Sequence, residues 1–438
     1  MAQPRDTIVA VATGPAAGPV GILRLSGPAS HAIAASLSGQ PAPPHRQARY
    51  ARLLDAQGAV LDSGLLLAFA GPASFTGEDV VELQVHGNPL LLARIQARCC
   101  ELGARPAEPG EFSLRAFDNG KLDLAQAEAI ADLIAAGSES AARAAQHSLQ
   151  GAFSQRCDAL ATDTLGLRAL LEAWLDFPEE DIGDAERDSW ASTLATLSQD
   201  LATLRAQADQ GLRLTQGLDL VIVGAPNAGK STLLNALARR EVAIVSDIQG
   251  TTRDLLSAPL VLNGVPVRVT DSAGLRAGSA DPIEREGIAR AERAAAQADR
   301  ILALDAADAP LPPLPEGWAG RVLRVRNKLD LDGGEPGWRD GVLHVCARDG
   351  RGLDLLAAAI AGQPVQDSAI SARQRHVDAL RRAAAHLEAA RPWLAAGGTL
   401  ELAAEELRLA HQALGEITGR VEVEDLLGQI FSTFCIGK

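Results

Sequence analysis

The stretch Gly224–Ser231, which reads G-A-P-N-A-G-K-S, decides the fold because it matches the phosphate-binding loop G-x-x-x-x-G-K-[ST]. The apolar run Leu218–Val223 before it predicts a buried parallel strand. Leucines at helical spacing in Thr232–Arg239 predict a helix after it. Backbone N–H groups at the start of that helix point at an anion, and Lys230 adds a positive charge for the outer phosphates. The stretch therefore predicts a nucleotide site between a strand and a helix.

Composition indicates a cytoplasmic protein without a membrane span. The 438 residues are 47% hydrophobic, enough for several cores, and no apolar run is long enough for a transmembrane helix. An odd number of cysteines without a C-x-x-C pair favours a reducing compartment over a disulfide framework or zinc site: Cys99, Cys100, Cys157, Cys346 and Cys435. The net charge of −14 gives little general attraction to nucleic acid, so an RNA target would need a local basic patch or a partner.

Changes in patterning along the chain predict a multidomain fold. Residues 1–118 are expected to form an α+β domain, with residues 119–214 and 367–438 forming one helical bundle domain. An α/β P-loop domain of the Ras-like type, residues 215–366, splits that bundle as an insertion. The predicted N-terminal elements are four strands and one helix: Thr7–Ala12, Val20–Leu25, Leu65–Ala70, Asp79–Val85 and Pro89–Leu102.

Apolar spacing also predicts the buried faces of the helical parts. One helix is expected to bury Leu122, Ile130, Leu133 and Ile134 together. Near the other end, the predicted buried positions are Val377, Leu380 and Leu387, followed by Leu402, Leu407 and Leu414.

Four short elements follow the phosphate loop in an order that favours GTP over ATP, and the last of them, Cys346–Arg348, lies where a loop behind the base is expected. G-T-T-R-D at Gly250–Asp254 and D-S-A-G at Asp271–Gly274 suit Mg²⁺ and the γ-phosphate. N-K-L-D at Asn327–Asp330 suits the base, because the Asp330 carboxylate can accept two N–H bonds from guanine and only one matching donor exists on adenine. The predicted GTP-binding residues are Asn227, Ala228, Gly229, Lys230, Ser231, Thr232, Ser246, Asp247, Ile248, Gln249, Gly250, Thr251, Thr252, Asp271, Ser272, Ala273, Gly274, Asn327, Lys328, Asp330, Cys346, Ala347 and Arg348.

The hydrolytic machinery differs from that of small signalling GTPases. Leu275 stands where those proteins have a glutamine that orients water, and leucine cannot do so. Two residues could compensate: Asn227 could ligate a monovalent cation, and Glu284 could position water. Residue chemistry alone favours the interpretation of Glu284 as a solvated charge on a helix.

The chain resembles the MnmE (TrmE) family of bacterial tRNA-modification GTPases over essentially its full length. The resemblance is carried by D-T-I-V-A at Asp6, by the GTPase elements above and by five further motifs: G-I-L-R-L-S-G at Gly21, S-F-T-G-E-D-V-V-E-L at Ser74, P-G-E-F-S-L-R-A-F at Pro109, K-L-D-L-A-Q-A-E-A-I-A-D-L-I at Lys121 and the terminal C-I-G-K at Cys435.

The resemblance implies a GTPase that depends on K⁺ and is activated when its nucleotide-binding domains pair. The implied K⁺ ligands are Asn227, Ser246, Ile248 and Thr251, and the implied Mg²⁺ ligands are Ser231 and Thr252. Glu284 matches the family's catalytic glutamate, which reverses the interpretation from residue chemistry. The cation would neutralise charge between the phosphates, as an arginine finger does.

The resemblance also implies a folate site and two protein partners. Arg24, Glu82, Lys121 and Lys438 match positions that contact 5-formyltetrahydrofolate in the N-terminal domain, which forms a homodimer. With MnmG, a flavoprotein that uses FAD and NADH, the family places an aminomethyl-type group such as carboxymethylaminomethyl on C5 of the tRNA wobble uridine. Cys435 is required in the family, either as a nucleophile or as a structural thiol.

A few positions depart from the family pattern, and two rival functions stay open. Ala17 and Pro19 replace an arginine and a glycine, while Cys346 and Ser272 replace a serine and a threonine. One rival is a ribosome-assembly GTPase of the Era or Der kind, although no G-x-x-G loop or basic tail supports binding to rRNA. The other is a folate-dependent methyltransferase, for which the N-terminal domain shows no catalytic set.

Overall fold

The structure is a computed structural model that describes residues 6–176, 183–225, 227–239, 257–271, 293–311, 314–366, 368–395 and 398–420, together with 427, 430, 431, 434 and 437. The chain divides into two compact units. The first comprises Met1–Ala131 with Leu414–Lys438, and the second comprises Asp132–Ala413. Within the described ranges, no helix is both long and apolar enough to cross a membrane.

The first unit contains a mixed sheet with helices packed against both of its faces. Its strands are β1 (Ile8–Val11), β2 (Gly18–Ser26), β3 (Ala48–Leu54), β4 (Val60–Phe69), β5 (Val80–Gly87) and β6 (Arg105–Pro106), in the spatial order β3-β4-β5-β2-β1-β6. The helices are α1 (Ser30–Ser38), α2 (Pro89–Glu101) and α3 (Glu111–Asp118). Alternate residues of the central strands, such as Leu23, Leu25 and Leu83, pack with Ile33 of α1 and Ile95 of α2 in one core.

The helix predicted after β5 is confirmed, and its capping explains its bounds. The Asn88 side chain accepts hydrogen bonds from the backbone N–H groups of Leu90 and Leu91, and Pro89 occupies the first helical position. The helix ends at Glu101, just before Gly103, which has a positive φ of 108°. All four predicted N-terminal strands are also present, whereas α1 and β3 were not predicted.

The end of the chain belongs to this first unit. Phe431 and Phe434 pack with Leu124 and Ala127 in a small apolar cluster. Gly437 has a positive φ of 98° and lies so close to β1 that a Cβ there would be 2.3 Å from the carbonyl oxygen of Val11. Gly437 therefore lies against β1, the strand next to β2.

Four helices precede the nucleotide-binding part: α4 (Leu124–Ala135), α5 (Glu139–Leu149), α6 (Ala152–Leu175) and α7 (Asp184–Gln216). The predicted apolar face of α4 is wrong, because Ile134 is 49% exposed while Asp132 is buried. Asp132 is stable inside because Arg373 donates to it at 2.8 Å, so an ion pair rather than apolar spacing sets this face.

The nucleotide-binding part is a seven-stranded sheet among the described residues. It contains β7 (Leu218–Gly224), β8 (Ser257–Leu262), β9 (Val265–Asp271), β10 (Arg300–Asp305), β11 (Val322–Arg326), β12 (Gly337–Arg339) and β13 (Val342–His344), in the order β12-β13-β11-β10-β7-β9-β8. The helices that follow its strands are α8 (Lys230–Ala238), α9 (Leu329–Asp332) and α10 (Leu353–Ala361). The strands β7, β9, β10, β11 and β13 run parallel, so their carboxyl ends share one edge of the sheet.

Two helices follow the sheet, α11 (Gln374–Leu394) and α12 (Leu400–Thr418), and α11 packs against α7. Segments before and after the nucleotide-binding part thus pack together, and the predicted split helical domain is confirmed. Val377, Leu380 and Leu387 are buried as predicted, as are Leu407 and Leu414. Leu402 is 44% exposed instead, because five residues at about 100° per residue place it well away from the face of Leu407.

Candidate nucleotide and cofactor sites

The phosphate loop joins the end of β7 to the start of α8, and two glycines make its path possible. A Cβ at Gly224 would be 2.3 Å from the carbonyl oxygen of Leu304, so only glycine allows β7 and β10 to approach there. Gly229 has φ of +93° and caps α8, and a Cβ there would be 2.4 Å from Nδ2 of Asn327. The motif therefore needs glycine at both positions for separate steric reasons.

Lys230 and Ser231 supply the ammonium and hydroxyl groups of the phosphate loop. Lys230 Nζ donates to the carbonyl oxygens of Gly224 and Ala225 at 2.9 and 3.0 Å, which holds the ammonium group over the loop. Ser231 is exposed in the first turn of α8. Backbone N–H groups at this helix start, an ammonium and a hydroxyl together suit phosphate oxygens and their Mg²⁺.

Asn327 connects three segments that the sequence keeps far apart. Its side chain is buried, and its Nδ2 donates to the carbonyl oxygen of Ala228 in the phosphate loop at 3.0 Å. Its Oδ1 accepts from the backbone N–H of Ala347 at 2.9 Å, and its own N–H donates to Asp305 at the end of β10 at 2.8 Å. The side-chain amide thus both donates and accepts a hydrogen bond that holds the site in shape.

The base-recognition side is built around Asp330 at the start of α9. The Cys346 thiol donates to Asp330 Oδ1 at 3.3 Å, and the Arg348 guanidinium lies 3.9 Å from Oδ2. Lys328 adopts a positive φ of 63° and its Nζ donates to Asp308 at 2.6 Å. This hydrogen bond lowers the pKa of the Asp308 carboxyl group. The Asp330 carboxylate is thus oriented by neighbours, as recognition of a planar base requires.

Residues from the phosphate loop and from the two segments around Asn327 and Ala347 border one cleft of about 470 Å³. The cleft brings together seven predicted residues and one that was not predicted, Leu331, which is 63% exposed. No sequence signal set Leu331 apart, because an exposed leucine beside a motif is common. The predicted lining residues are Gly229, Thr232, Asn327, Lys328, Asp330, Ala347 and Arg348.

Several predicted site residues lie outside the described residues, so their assignments remain predictions. They are Ser246, Asp247, Ile248, Gln249, Gly250, Thr251, Thr252, Ser272, Ala273, Gly274, Leu275, Glu284, Cys435 and Lys438. Asp271 is described as the last residue of β9.

The residues predicted to bind folate form a second polar cluster, in the first unit. Arg24 of β2 and Glu82 of β5 are directly opposed across the strands, and the guanidinium donates to the carboxylate at 2.8 Å. The same guanidinium lies 5.5 Å from the ring centre of Phe75 and 5.8 Å from that of Phe112. Lys121 Nζ donates to the carbonyl oxygen of Pro72, on the loop that carries Phe75.

A buried ionic network supports that loop and α3. The Arg115 guanidinium donates to Glu78, Glu111 and Asp6 at 3.0, 3.0 and 2.9 Å. Burial acts to raise the pKa of Glu111, but hydrogen bonds from Arg105, the Glu108 N–H and Arg115 outweigh it and lower that pKa. The network ties the P-G-E-F-S-L-R-A-F and S-F-T-G-E-D motifs together, which the sequence did not predict.

Comparisons with known proteins match a single protein family along the whole chain. The family description "MnmE helical domain" matches residues 124–435, and "GTP-binding protein TrmE N-terminus" matches residues 7–121. The tRNA modification GTPase MnmE of Stutzerimonas stutzeri is 50% identical, with 100% of both chains covered. That of Thiobacillus denitrificans is 49% identical, covering 99% of this chain and 98% of its own. A crystal structure of Aquifex aeolicus Era covers 39% of this chain and 66% of its own at 24% identity, and its TM-score of 0.25 is too low to bear on function.

Proposed function

Because the chain belongs to the MnmE family of tRNA modification GTPases, and is thus a GTP hydrolase acting in tRNA modification, we propose that its hydrolysis depends on K⁺ and drives C5 modification of the wobble uridine. The reaction is proposed to use a folate one-carbon unit and the flavoprotein MnmG, and to install a carboxymethylaminomethyl-type group. The observation that carries the nucleotide part is the Asn327 amide, which joins the phosphate loop to the base-recognition loop.

Guanine selection and phosphate binding follow from the described residues. Asp330 is oriented by the Cys346 thiol and presents a carboxylate that suits the two N–H donors of guanine. Lys230 and the start of α8 supply positive charge to the phosphates, and Ser231 supplies a hydroxyl for Mg²⁺. When bound, Mg²⁺ neutralises negative charge on the phosphate oxygens.

The dependence on K⁺ is supported by Asn227. This residue is exposed in the phosphate loop with a positive φ of 64°. An amide oxygen there suits a monovalent cation, which would stabilise the charge that develops between the phosphates. Ser246, Ile248 and Thr251 are the proposed further ligands, and Glu284 is the proposed residue that positions water.

The folate assignment is supported by the cluster around Arg24. Carboxylates such as Glu82 pair well with pterin N–H groups, and cations such as Lys121 suit the glutamyl tail. Gly437 lies against β1, beside the strand that carries Arg24, which is consistent with a role for the neighbouring Cys435 and Lys438 in the same site.

The proposed homodimer through the N-terminal domain is supported by apolar residues that this unit leaves in solvent. Val20 at the start of β2 is 55% exposed and Leu90 at the start of α2 is 79% exposed. Burying these side chains against a second copy of the chain would contribute a favourable hydrophobic term. MnmG as a partner and a cytoplasmic location rest on the family alone.

Nucleoside mass spectrometry of bulk tRNA tests the proposal. Deleting the gene should remove C5-modified wobble uridines, and the wild-type chain should restore them. Lys230→Ala and Cys435→Ser should not restore them if GTP hydrolysis and the thiol are both required. Unchanged wobble uridines after deletion would overturn the proposal, and altered rRNA maturation in the same cells would favour the ribosome-assembly function.

Turnover of GTP in different salts tests the cation separately. Hydrolysis should be fast in K⁺ and slow in Na⁺ at equal ionic strength, and Asn227→Ala should abolish that difference while leaving Mg²⁺-dependent GDP binding intact. Equal rates in both salts would rule out the K⁺ assignment and leave the tRNA assignment untouched.

A further inference from the structure

An edge strand of the first unit carries a cluster of positive charge that the nucleotide and folate sites do not use. β3 is hydrogen-bonded only to β4 within the described sheet, so its other side is open. The stretch around it includes Arg46, Arg49 and Arg52, and between them Tyr50, whose exposed fraction is 66%. Within the strand, Arg49 and Arg52 are about 10 Å apart, taking about 3.3 Å for each residue, and Arg46 lies in the turn before the strand.

These arginines differ from the other arginines that hold this unit together. Arg24, Arg105 and Arg115 all form ion pairs with acidic side chains. Among the described residues, Arg46 and Arg52 have no ion pair, and both are exposed. Arg49 donates only to the carbonyl oxygen of Pro41, at 2.6 Å, so its charge is also not neutralised by a described carboxylate.

The alternation of β3 places these groups around the open edge. Tyr50 and Arg52 lie on the exposed face, whereas Ala51 and Leu53 are buried on the opposite face. Arg49 shares the face of the buried residues and is half-buried. Cations on both sides of the edge and one exposed ring between them combine the two groups that proteins use for RNA, which are charge for phosphates and aromatic faces for bases.

We propose that this edge, defined by Arg46, Arg49, Tyr50 and Arg52, is a docking surface for the tRNA substrate. The argument is charge complementarity: the chain as a whole carries −14, so an RNA polyanion is repelled except where unpaired cations are concentrated. The inference rests on the proposed function, because that function makes tRNA the macromolecule that must approach this chain.

A structural role for the same arginines predicts a different behaviour. Charged side chains on an edge strand prevent it from pairing with another strand. If that were their whole role, replacing them would promote self-association without changing affinity for tRNA. The two roles can therefore be separated by measuring oligomeric mass and RNA affinity on the same variants.

The test measures binding of a fluorescent, unmodified tRNA transcript with uridine at the wobble position, over a range of KCl concentrations. The first variant is Arg46→Gln/Arg49→Gln/Arg52→Gln, and Arg46→Gln/Arg52→Gln avoids disturbing the Arg49 hydrogen bond. The control with the same change in charge replaces arginines that pair within their own helices: Arg381→Gln/Arg391→Gln/Arg408→Gln. Thermal unfolding and GTP turnover should be unchanged in the double variant and in the control.

The expected result is a loss of tRNA affinity of about tenfold or more at 150 mM salt in the triple edge variant. The slope of log affinity against log salt concentration should also fall by an amount that corresponds to about two lost phosphate contacts. Tyr50→Leu should weaken binding about fivefold, whereas Tyr50→Phe should retain it, because stacking needs only the ring. The control triple variant should bind as the wild type does.

Three results would overturn the inference. Equal affinity of the edge and control variants would show that the charges are not used for RNA. A change in oligomeric mass without a change in affinity would make the edge an interface between copies of the chain. Absence of any direct binding by the wild type, with wobble modification intact in cells, would refute the docking surface and leave the proposed function standing.

Discussion

Replacing Asn327 with alanine is the sharpest test of how the nucleotide site is held together. The change removes the donor to Ala228 and the acceptor for Ala347, and both backbone partners belong to buried residues. An unsatisfied buried polar group costs about 1–3 kcal/mol, so the two together give about 2–4 kcal/mol when partial relaxation is allowed. If nucleotide binding must restore the lost arrangement, the affinity for GDP falls roughly 30- to 700-fold at 1.4 kcal/mol per factor of ten.

The assay is titration with a fluorescent GDP analogue, combined with denaturant unfolding of the same protein. Asn88→Ala is a matched control, because it removes the cap of α2 in the other unit and should cost about 1 kcal/mol without changing GDP affinity. A loss of stability in Asn327→Ala with GDP affinity within threefold of wild type would refute the reasoning, since the segments would then keep their positions without the amide.

Three further predictions concern other contacts. Cys346→Ala should weaken GDP binding about 3- to 10-fold because Asp330 loses a hydrogen bond, whereas Cys346→Ser should retain affinity; equal dissociation constants for all three proteins would contradict this. Because the pKa of Glu111 is lowered in the folded chain, its stabilisation is present above pH 4.5 and is lost as the pH falls through the folded value. Glu111→Gln should therefore flatten the acid side of the unfolding profile measured in urea, and a profile as steep as that of the wild type would argue against the network. Ser138→Ala should destabilise the fold by about 1–2 kcal/mol in thermal unfolding, and Ser138→Asp should recover only part of that loss, because aspartate can cap the start of α5 but cannot donate to the Gly264 carbonyl.

The phosphate loop could be predicted because its physics is local. An apolar strand, the glycine-rich motif and a helix start are all encoded within Leu218–Ala238, and the structure has β7 and α8 there. The positions of Asn327 and Asp330 were predicted for the same reason, since both closely follow a strand, and their role in base recognition stays a prediction. The domain boundaries at residues 118, 214 and 366 stay predictions.

Contacts between distant segments could not be predicted from the sequence. The role of Asn327 as a brace depends on Ala228, which is brought near only when β7 and β11 join the same sheet on either side of β10. The strand β3 was missed because A-R-Y-A-R-L-L places charge and alanine where strand patterns have β-branched residues. An edge strand tolerates such residues, since one side of it meets solvent.

The hairpin β8–β9 links the sequence motifs predicted to bind the γ-phosphate to the helical part of the second unit. By sequence, β8 follows the segment that carries G-T-T-R-D, and β9 leads into D-S-A-G. The turn between the strands is fixed at its far end: the Ser138 hydroxyl, which also caps α5, donates to Gly264 at 2.7 Å, and Asn263 donates to Gly362 at 2.7 Å.

These hydrogen bonds limit how a displacement at the nucleotide site could be transmitted to the helical part. Asn263 also accepts from the Val365 N–H at 3.3 Å, so the turn is held by the chain that enters the helical part and by the chain that leaves the sheet. Closely packed elements transmit displacement because they have few voids to absorb it. A shift of β8 or β9 along the sheet must therefore either break the Ser138–Gly264 hydrogen bond or move the start of α5 with it, and this couples the helical part directly to the two strands that border the motifs predicted to bind the γ-phosphate.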